Sequence, residues 1–201
     1  MSDIIDSLKN NSILQVILIV VVITGGNLWL NRTFLPLGMH RYSQFGVTIT
    51  HPSSGHVILG TARGRNHSYT EGTYLVVFDS DGQDEMGYYW FSNEMVPVSA
   101  DERFLEASLN WKLEAWESGG VPVSRVGDVK SSKKDGNDMV YTYIEITVED
   151  VDVPGIMGVW QSGDRVFFCY SLYIDDLENP KKDINNVTEL WNQCLRRIKI
   201  D

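Results

Sequence analysis

Residues 139–174 read MVYTYIEITVEDVDVPGIMGVWQSGDRVFFCYSLYI and decide the fold of this 201-residue chain. In Met139–Val148, apolar and polar side chains alternate, which is the pattern of a half-buried strand. Two further strand patterns follow over Gly158–Gln161 and Arg165–Ile174, separated by the turn residues Ser-Gly-Asp. Because a short turn joins antiparallel neighbours, this stretch predicts the centre of an antiparallel sheet.

More strand patterns lie upstream of this centre. The nearest covers Val121–Lys130 and precedes the polar turn SSKKDGND. Four others are separated by turn-prone segments such as PSSG and SDGQDE, and we expect them to form a meander: Phe45–His51, Val57–Leu59, Thr73–Asp79 and Met86–Phe91.

Two segments change to a helical period. Apolar residues recur every three or four positions from Leu105 to Trp116, Ser99 and Glu102 have the spacing of a capping box, and two glycines follow. A second helical pattern covers Ile184–Ile198. Strands, helix, strands and helix in this order predict an α+β domain in which helices pack on an antiparallel sheet.

The amino-terminal part contains the run ILQVILIVVVITGGNLWL, Ile13–Leu30, which is long enough and uncharged enough to cross a bilayer. The segment before it lacks the basic character of a cleaved signal peptide, which is the alternative. We therefore predict a tail over 1–11, a transmembrane helix over 12–32, a linker over 33–44 and a soluble domain over 45–201. The predicted fold class is α+β, an N-terminal transmembrane helix followed by an antiparallel sheet with helices packed on it.

The chain is acidic, with a net charge of −10 and a pI near 4.8. Such a surface repels nucleic acid, so no nucleic-acid partner is expected. The basic residues form two small groups of the size of ordinary solvated faces: Lys130, Lys133 and Lys134, and Lys181, Lys182, Arg196 and Arg197.

No motif of covalent or metal chemistry stands out. The chain has no nucleophile elbow, phosphate loop or HExxH pair, so we predict no enzyme and no catalytic residue. The acidic turn after residue 78 lacks the further ligands of a calcium loop. The spacing of His51, His56 and His67 matches no closed zinc pattern. We predict no cofactor and no metal site.

Two residue pairs are singled out. The run Tyr88–Phe91 contains four aromatic residues, and strand alternation sends two of the rings away from the core unless both faces are covered. We predict that Tyr88 and Trp90 contact a partner, with a helix of the domain or the bilayer surface as alternative covers. Cys169 and Cys194 form a possible disulfide if the last helix packs on the sheet, the alternative being two buried free thiols.

Three segments carry a resemblance to a known family. FGVTITHPSSG opens the domain, SGDRVFFCYSL forms a late hairpin, and ELWNQCLRRIKI closes the chain. With the order of elements, they resemble the PsbP/Mog1-like family over about residues 41–201. The resemblance implies a small accessory or assembly factor that binds another protein, often at a membrane complex, without covalent chemistry. It transfers no functional residue.

The predicted function combines these inferences. We expect a single-pass protein of the cell membrane, held by the lipid bilayer, whose extracytoplasmic domain binds a partner in a membrane complex without catalysis. The two cysteines and the lack of a cytosolic catalytic motif favour the extracytoplasmic side. A membrane-anchored module that binds a small ligand or an ion is the alternative, and a hydrolase with unrecognised residues is a third.

Overall fold

Most of the described residues lie in two β-sheets. The computed structural model describes residues 38–65, 69–78, 84–92, 95–148, 150–174 and 184–201, and Arg41–Asp201 form one compact unit. The strands are β1 Met39–Gln44, β2 Val47–Pro52, β3 His56–Arg65, β4 Tyr69–Phe78, β5 Asp84–Phe91, β6 Val123–Lys134, β7 Asn137–Val148, β8 Val151–Ser162, β9 Arg165–Leu172 and β10 Ile198–Ile200. The helices are α1 Glu102–Ser118 and α2 Ile184–Arg197.

The larger sheet has the strand order β3-β4-β5-β9-β8-β7-β6, and the smaller sheet has the order β1-β2-β10. The strands predicted from residues 139–174 pair antiparallel, with Met139 opposite Trp160 and Gly158 opposite Cys169. β5 pairs with β9 and not with its next strand in sequence. The segment from α1 to β8 is therefore inserted between two neighbouring strands of the sheet.

Several strands extend beyond their predicted ends. β6 continues through the polar SSKK sequence to Lys134, and the hairpin turns at Asp135 and Gly136, which both have positive φ. β3 continues to Arg65 through a segment that has no apolar alternation. In both strands the backbone pairs with a neighbour, β7 and β4 respectively, and this pairing extends the strand where the side chains do not indicate it.

The two faces of the larger sheet carry different covers. On one face, here called the α1 face, α1 buries Leu105 and Leu109 against apolar side chains of β7, β8 and β9. On the other, the α2 face, the covers are α2 and two strands of the smaller sheet, β2 and β10. Both faces are therefore cores, and the larger sheet is the middle layer.

The N-cap of α1 lies two residues later than the predicted capping box places it. Asp101 is the N-cap, and its carboxylate accepts a hydrogen bond of 2.8 Å from the amide of Phe104. Ser99 lies outside the helix. Asp101 satisfies a helix amide that has no partner within the helix, and this is the role that the capping-box spacing had assigned to Ser99.

The predicted fold class is wrong. Over the described residues the chain is dominated by strands, in two sheets where one was expected, with only two helices. No helix within those residues is long and apolar enough to span a membrane. The helix predicted over 12–32 lies outside the described residues. β1 was missed because it is short, lacks apolar alternation and lies in the segment predicted as a linker. β10 was missed because it has only three residues and the predicted second helix ran into its first residue, Ile198.

Candidate functional site

α1 covers only part of its face of the larger sheet. It packs against β6, β7 and β8, the three strands at one end of the strand order. At the opposite end of the strand order, β3 and β4 carry Leu59, Leu75 and Thr73 on the same α1 face. Leu59 is 43% exposed, and the other two are half-buried. A sheet face that no helix covers presents apolar side chains to the surroundings, so the α1 face of β3 and β4 is a candidate binding surface.

An aromatic groove lies where α1 meets this open side. We call it the aromatic groove; it encloses about 480 Å³ and is lined by Tyr89, Phe91, Met95, Phe104, Ala107, Ser108 and Trp111. Trp111 is 51% exposed and Met95 is 81% exposed. The Trp111 ring meets Phe91 edge-on with centroids 6.4 Å apart, and Phe91 stacks on Phe168 at 6.2 Å. Packing within the ring cluster therefore holds the half-exposed indole in place.

A second cavity of about 330 Å³ continues along α1 from Tyr89, which lines both cavities. The ammonium of Lys112 lies 4.2 Å from the centroid of the Tyr89 ring, the geometry of a cation–π contact. Burial lowers the pKa of Lys112, and the carboxylate of Glu71 acts in the opposite direction. This part of the surface is aromatic with one cation among the rings.

A half-buried polar pair, Tyr170 and Glu85, lies beside the second cavity, which Tyr170 lines. The Tyr170 hydroxyl donates a hydrogen bond of 2.5 Å to the carboxylate of Glu85, and Trp116 meets the Tyr170 ring edge-on at 4.6 Å. The ring passes over Gly87, where an added Cβ would lie 2.0 Å from Tyr170 Cε1. Burial raises the pKa of Glu85, and the hydrogen bond from Tyr170 offsets part of this rise.

Glu85 gives the stability of the protein a pH dependence of known sign. Because its pKa is raised in the folded state, the folded protein holds the proton more tightly than the unfolded chain. This contribution is therefore complete below the ordinary pKa of glutamate and is lost as pH rises through the raised value. We expect Glu85→Gln to flatten the fall in unfolding free energy that begins as pH rises above the ordinary glutamate pKa of about 4.3. Urea unfolding at several pH values measures this, and an unchanged pH profile would contradict it.

The structure places the two predicted partner-binding residues in the core. Tyr88 is 2% exposed and Trp90 is fully buried, both on the α2 face. The Tyr88 hydroxyl donates a hydrogen bond of 2.9 Å to the carbonyl of Cys194 in α2. A helix of the domain covers them, so neither ring lies at a surface that a partner can contact.

The rings that reach the groove are the other two of the same run, Tyr89 and Phe91. Alternation predicted that two of the four rings would lie on each face of the strand. It did not indicate which of the two pairs would stay partly exposed. Trp111 lies beside the apolar stripe of α1, so its partial exposure follows from the angular width of that stripe. None of these three residues, Tyr89, Phe91 and Trp111, was predicted from the sequence to be a site residue.

The two cysteines are both buried free thiols, so the possible disulfide is not formed. α2 packs on β9 and brings them together, as the disulfide prediction required. The Cys194 thiol donates to the carbonyl of Tyr170 at 3.4 Å. Burial and a hydrogen bond with Cys194 raise the pKa of Cys169 well above its usual range.

The acidic turn and the three histidines form no metal site among the residues that the structure describes. The Asp84 carboxylate accepts from the amide of Ile174 at 3.1 Å, and residues 79–83 lie outside the described part. His51 is buried with Nδ1 2.8 Å from the carbonyl of Pro52, His56 is exposed, and residue 67 is not described. Within the described ranges, no three His, Cys, Asp or Glu side chains are grouped so that they could hold a metal ion.

Comparison with known proteins gives a likeness of fold. No family model matches the chain, and no curated protein matches it. The solution structure of cyanobacterial PsbP from Synechocystis superposes with a TM-score of 0.54 at 9% identity, covering 83% of this chain and 94% of that one. A crystal structure from Bacteroides thetaiotaomicron reaches only 0.45 at 10% identity, covering 82% of this chain and 48% of that one. The resemblance to PsbP at the level of the fold is thus confirmed.

Proposed function

We propose that this chain is a non-catalytic accessory or assembly protein that binds a partner protein through the aromatic groove. The observation that carries the proposal is the incomplete cover of the α1 face, which leaves Trp111 half exposed at the edge of an aromatic cluster. Tryptophan and tyrosine are the side chains that most often anchor protein interfaces, because they bury a large area at a small cost in conformational entropy.

The groove favours a macromolecule over a small ligand. Its volume of about 480 Å³ is within the range of ligand cavities, so capture of a small molecule is the second candidate. However, Met95 at its rim is 81% exposed and Leu59 beyond its end is 43% exposed. A small ligand inside the groove would leave both in water, whereas a partner surface would bury them together with Trp111.

The kind of partner follows from the resemblance stated above. The PsbP-like fold supports an accessory role at a membrane complex, and a subunit of such a complex is therefore the partner we propose. The cell-membrane location and the extracytoplasmic side of the domain stay predictions from the sequence.

The test is purification of the tagged full-length chain in mild detergent, with mass spectrometry and sizing of the particle. We expect a stoichiometric protein partner, and we expect Trp111→Ala to weaken its binding by about 10- to 100-fold, the effect of losing an interface anchor. Val126→Ala is the matched control, since Val126 is 43% exposed on β6, away from the groove.

Three outcomes would count against the proposal. A chain that purifies alone or only with itself would overturn the accessory role. A partner that Trp111→Ala and Val126→Ala retain equally well would remove the groove from the interaction. A small molecule that raises the melting temperature of the wild-type chain but not of Trp111→Ala, with no protein partner, would favour the ligand-binding alternative.

A further inference from the structure

Basic residues that are far apart in the sequence line one cleft, here called the basic cleft. Lys133 and Lys134 come from the end of β6, Arg196 comes from the last turn of α2, and Lys199 comes from β10. The cleft encloses about 710 Å³ between these elements. It lies on different residues from the aromatic groove, so what it binds does not depend on the proposed function.

The charges of the basic cleft do not cancel. Lys133 pairs with Asp138 at 2.8 Å on the surface, and Lys134 pairs with Asp135. Among the described residues, Arg196 and Lys199 form no ion pair. The lining contains four cationic side chains and two acidic ones, Asp135 and Glu189, in a chain whose net charge is −10. The basic cleft therefore carries a local positive charge, opposite in sign to the net charge of the protein.

A structural role at the helix end explains only one of these cations. Arg196 lies in the last turn of α2, where a positive charge interacts favourably with the helix dipole. Lys133 and Lys199 belong to strands of two different sheets, so the helix end does not account for them. Their approach to Arg196 requires the packing of both sheets around α2.

The lining also indicates the class of ligand. It contains no aromatic residue on which a nucleobase could stack. Between the charges lies the exposed Asn192 of α2, whose side-chain amide can both donate and accept a hydrogen bond. An extended polypeptide with carboxylate side chains matches this lining, because its carboxylates can pair with cations that come from three separate elements and its backbone can bond to the Asn192 amide.

We propose that the basic cleft binds an acidic segment of a partner polypeptide, whose carboxylates pair with Arg196 and Lys199. The probe is a fluorescent octaglutamate peptide, titrated with the full-length chain at low salt and followed by anisotropy. We expect saturable binding that weakens with added salt. Replacing both cations, by Arg196→Gln with Lys199→Gln, is expected to weaken it by about tenfold.

The control is a double variant with the same change of charge elsewhere. Arg125 and Lys130 are exposed on β6 and do not line the cleft, so Arg125→Gln with Lys130→Gln should leave the peptide affinity within about twofold. No binding by the wild-type chain would overturn the proposal. Equal losses in both double variants would also overturn it, since the attraction would then come from net charge alone. Full displacement of the peptide by equimolar inorganic phosphate would assign the cleft to a small anion instead.

Discussion

Replacing Trp90 by alanine is expected to lower the free energy of unfolding by about 4 kcal/mol, the cost of removing a large aromatic side chain from a packed core. Trp90 is fully buried on the α2 face, opposite Phe167 in β9 and Gly72 in β4. Trp90 belongs to the core cluster that the larger sheet forms with α2 and the smaller sheet. Since a domain of this size is stable by about 5 to 15 kcal/mol, the loss is a large fraction of the total.

The measurement is urea unfolding of the full-length chain followed by circular dichroism, with Trp111→Ala as the matched control. Both variants remove one indole, but Trp111 is half exposed and keeps only ring contacts with Phe91 and Phe168. We expect the control to lose about 1 kcal/mol. Equal losses would mean that Trp90 is not the core residue described above, and the earlier assignment of Trp90 to a partner surface would gain support.

Adding one methyl group beneath the same indole is the second large effect. A Cβ on Gly72 would lie 1.9 Å from Trp90 Cζ2, far inside van der Waals contact. Because Trp90 is enclosed on all sides, the ring cannot move away without disturbing β5 and its neighbours. We expect Gly72→Ala to cost about 3 kcal/mol through overpacking.

Two further variants separate overpacking from a general effect of alanine in a strand. At Gly60 in the edge strand β3 an added Cβ would lie 3.0 Å from the Tyr74 ring, so Gly60→Ala should cost clearly less. In the Trp90→Ala background, Gly72→Ala should cost almost nothing, since the cavity accepts the methyl group. If the two costs instead add, the clash between position 72 and the indole is not their source.

The aromatic run of β5 illustrates how much of the site was predictable. Alternation in Tyr88–Phe91 determined that two rings point to each face of a strand, and this is how the structure has them. It could not determine which face would be closed, because α2 comes from residues about a hundred positions later. Tyr88 and Trp90, which were predicted to contact a partner, are therefore buried in the core, and the groove residues Tyr89 and Phe91 were not singled out.

The strands also differ in whether the sequence predicted them. β7 was recognisable because its apolar and polar residues alternate, and β9 because it contains a run of mostly apolar residues. β1 and β10 are short, β1 is mostly exposed, and both are strands because they lie on either side of β2 in the smaller sheet. Backbone pairing of this kind leaves no pattern in the side chains, so a second sheet could not be predicted.

The sequence by itself determined the strand and helix periods, the acidic charge, the lack of a recognisable catalytic motif, and the likeness to PsbP that the superposition confirms. These properties depend on neighbouring residues and on composition. Tertiary structure alone decided that α1 covers only part of its face, that Trp111 stays half exposed, and that Lys133 and Arg196 share one cleft. Each depends on contacts between residues distant in the chain, and side-chain periodicity records only that a face is buried and not what buries it.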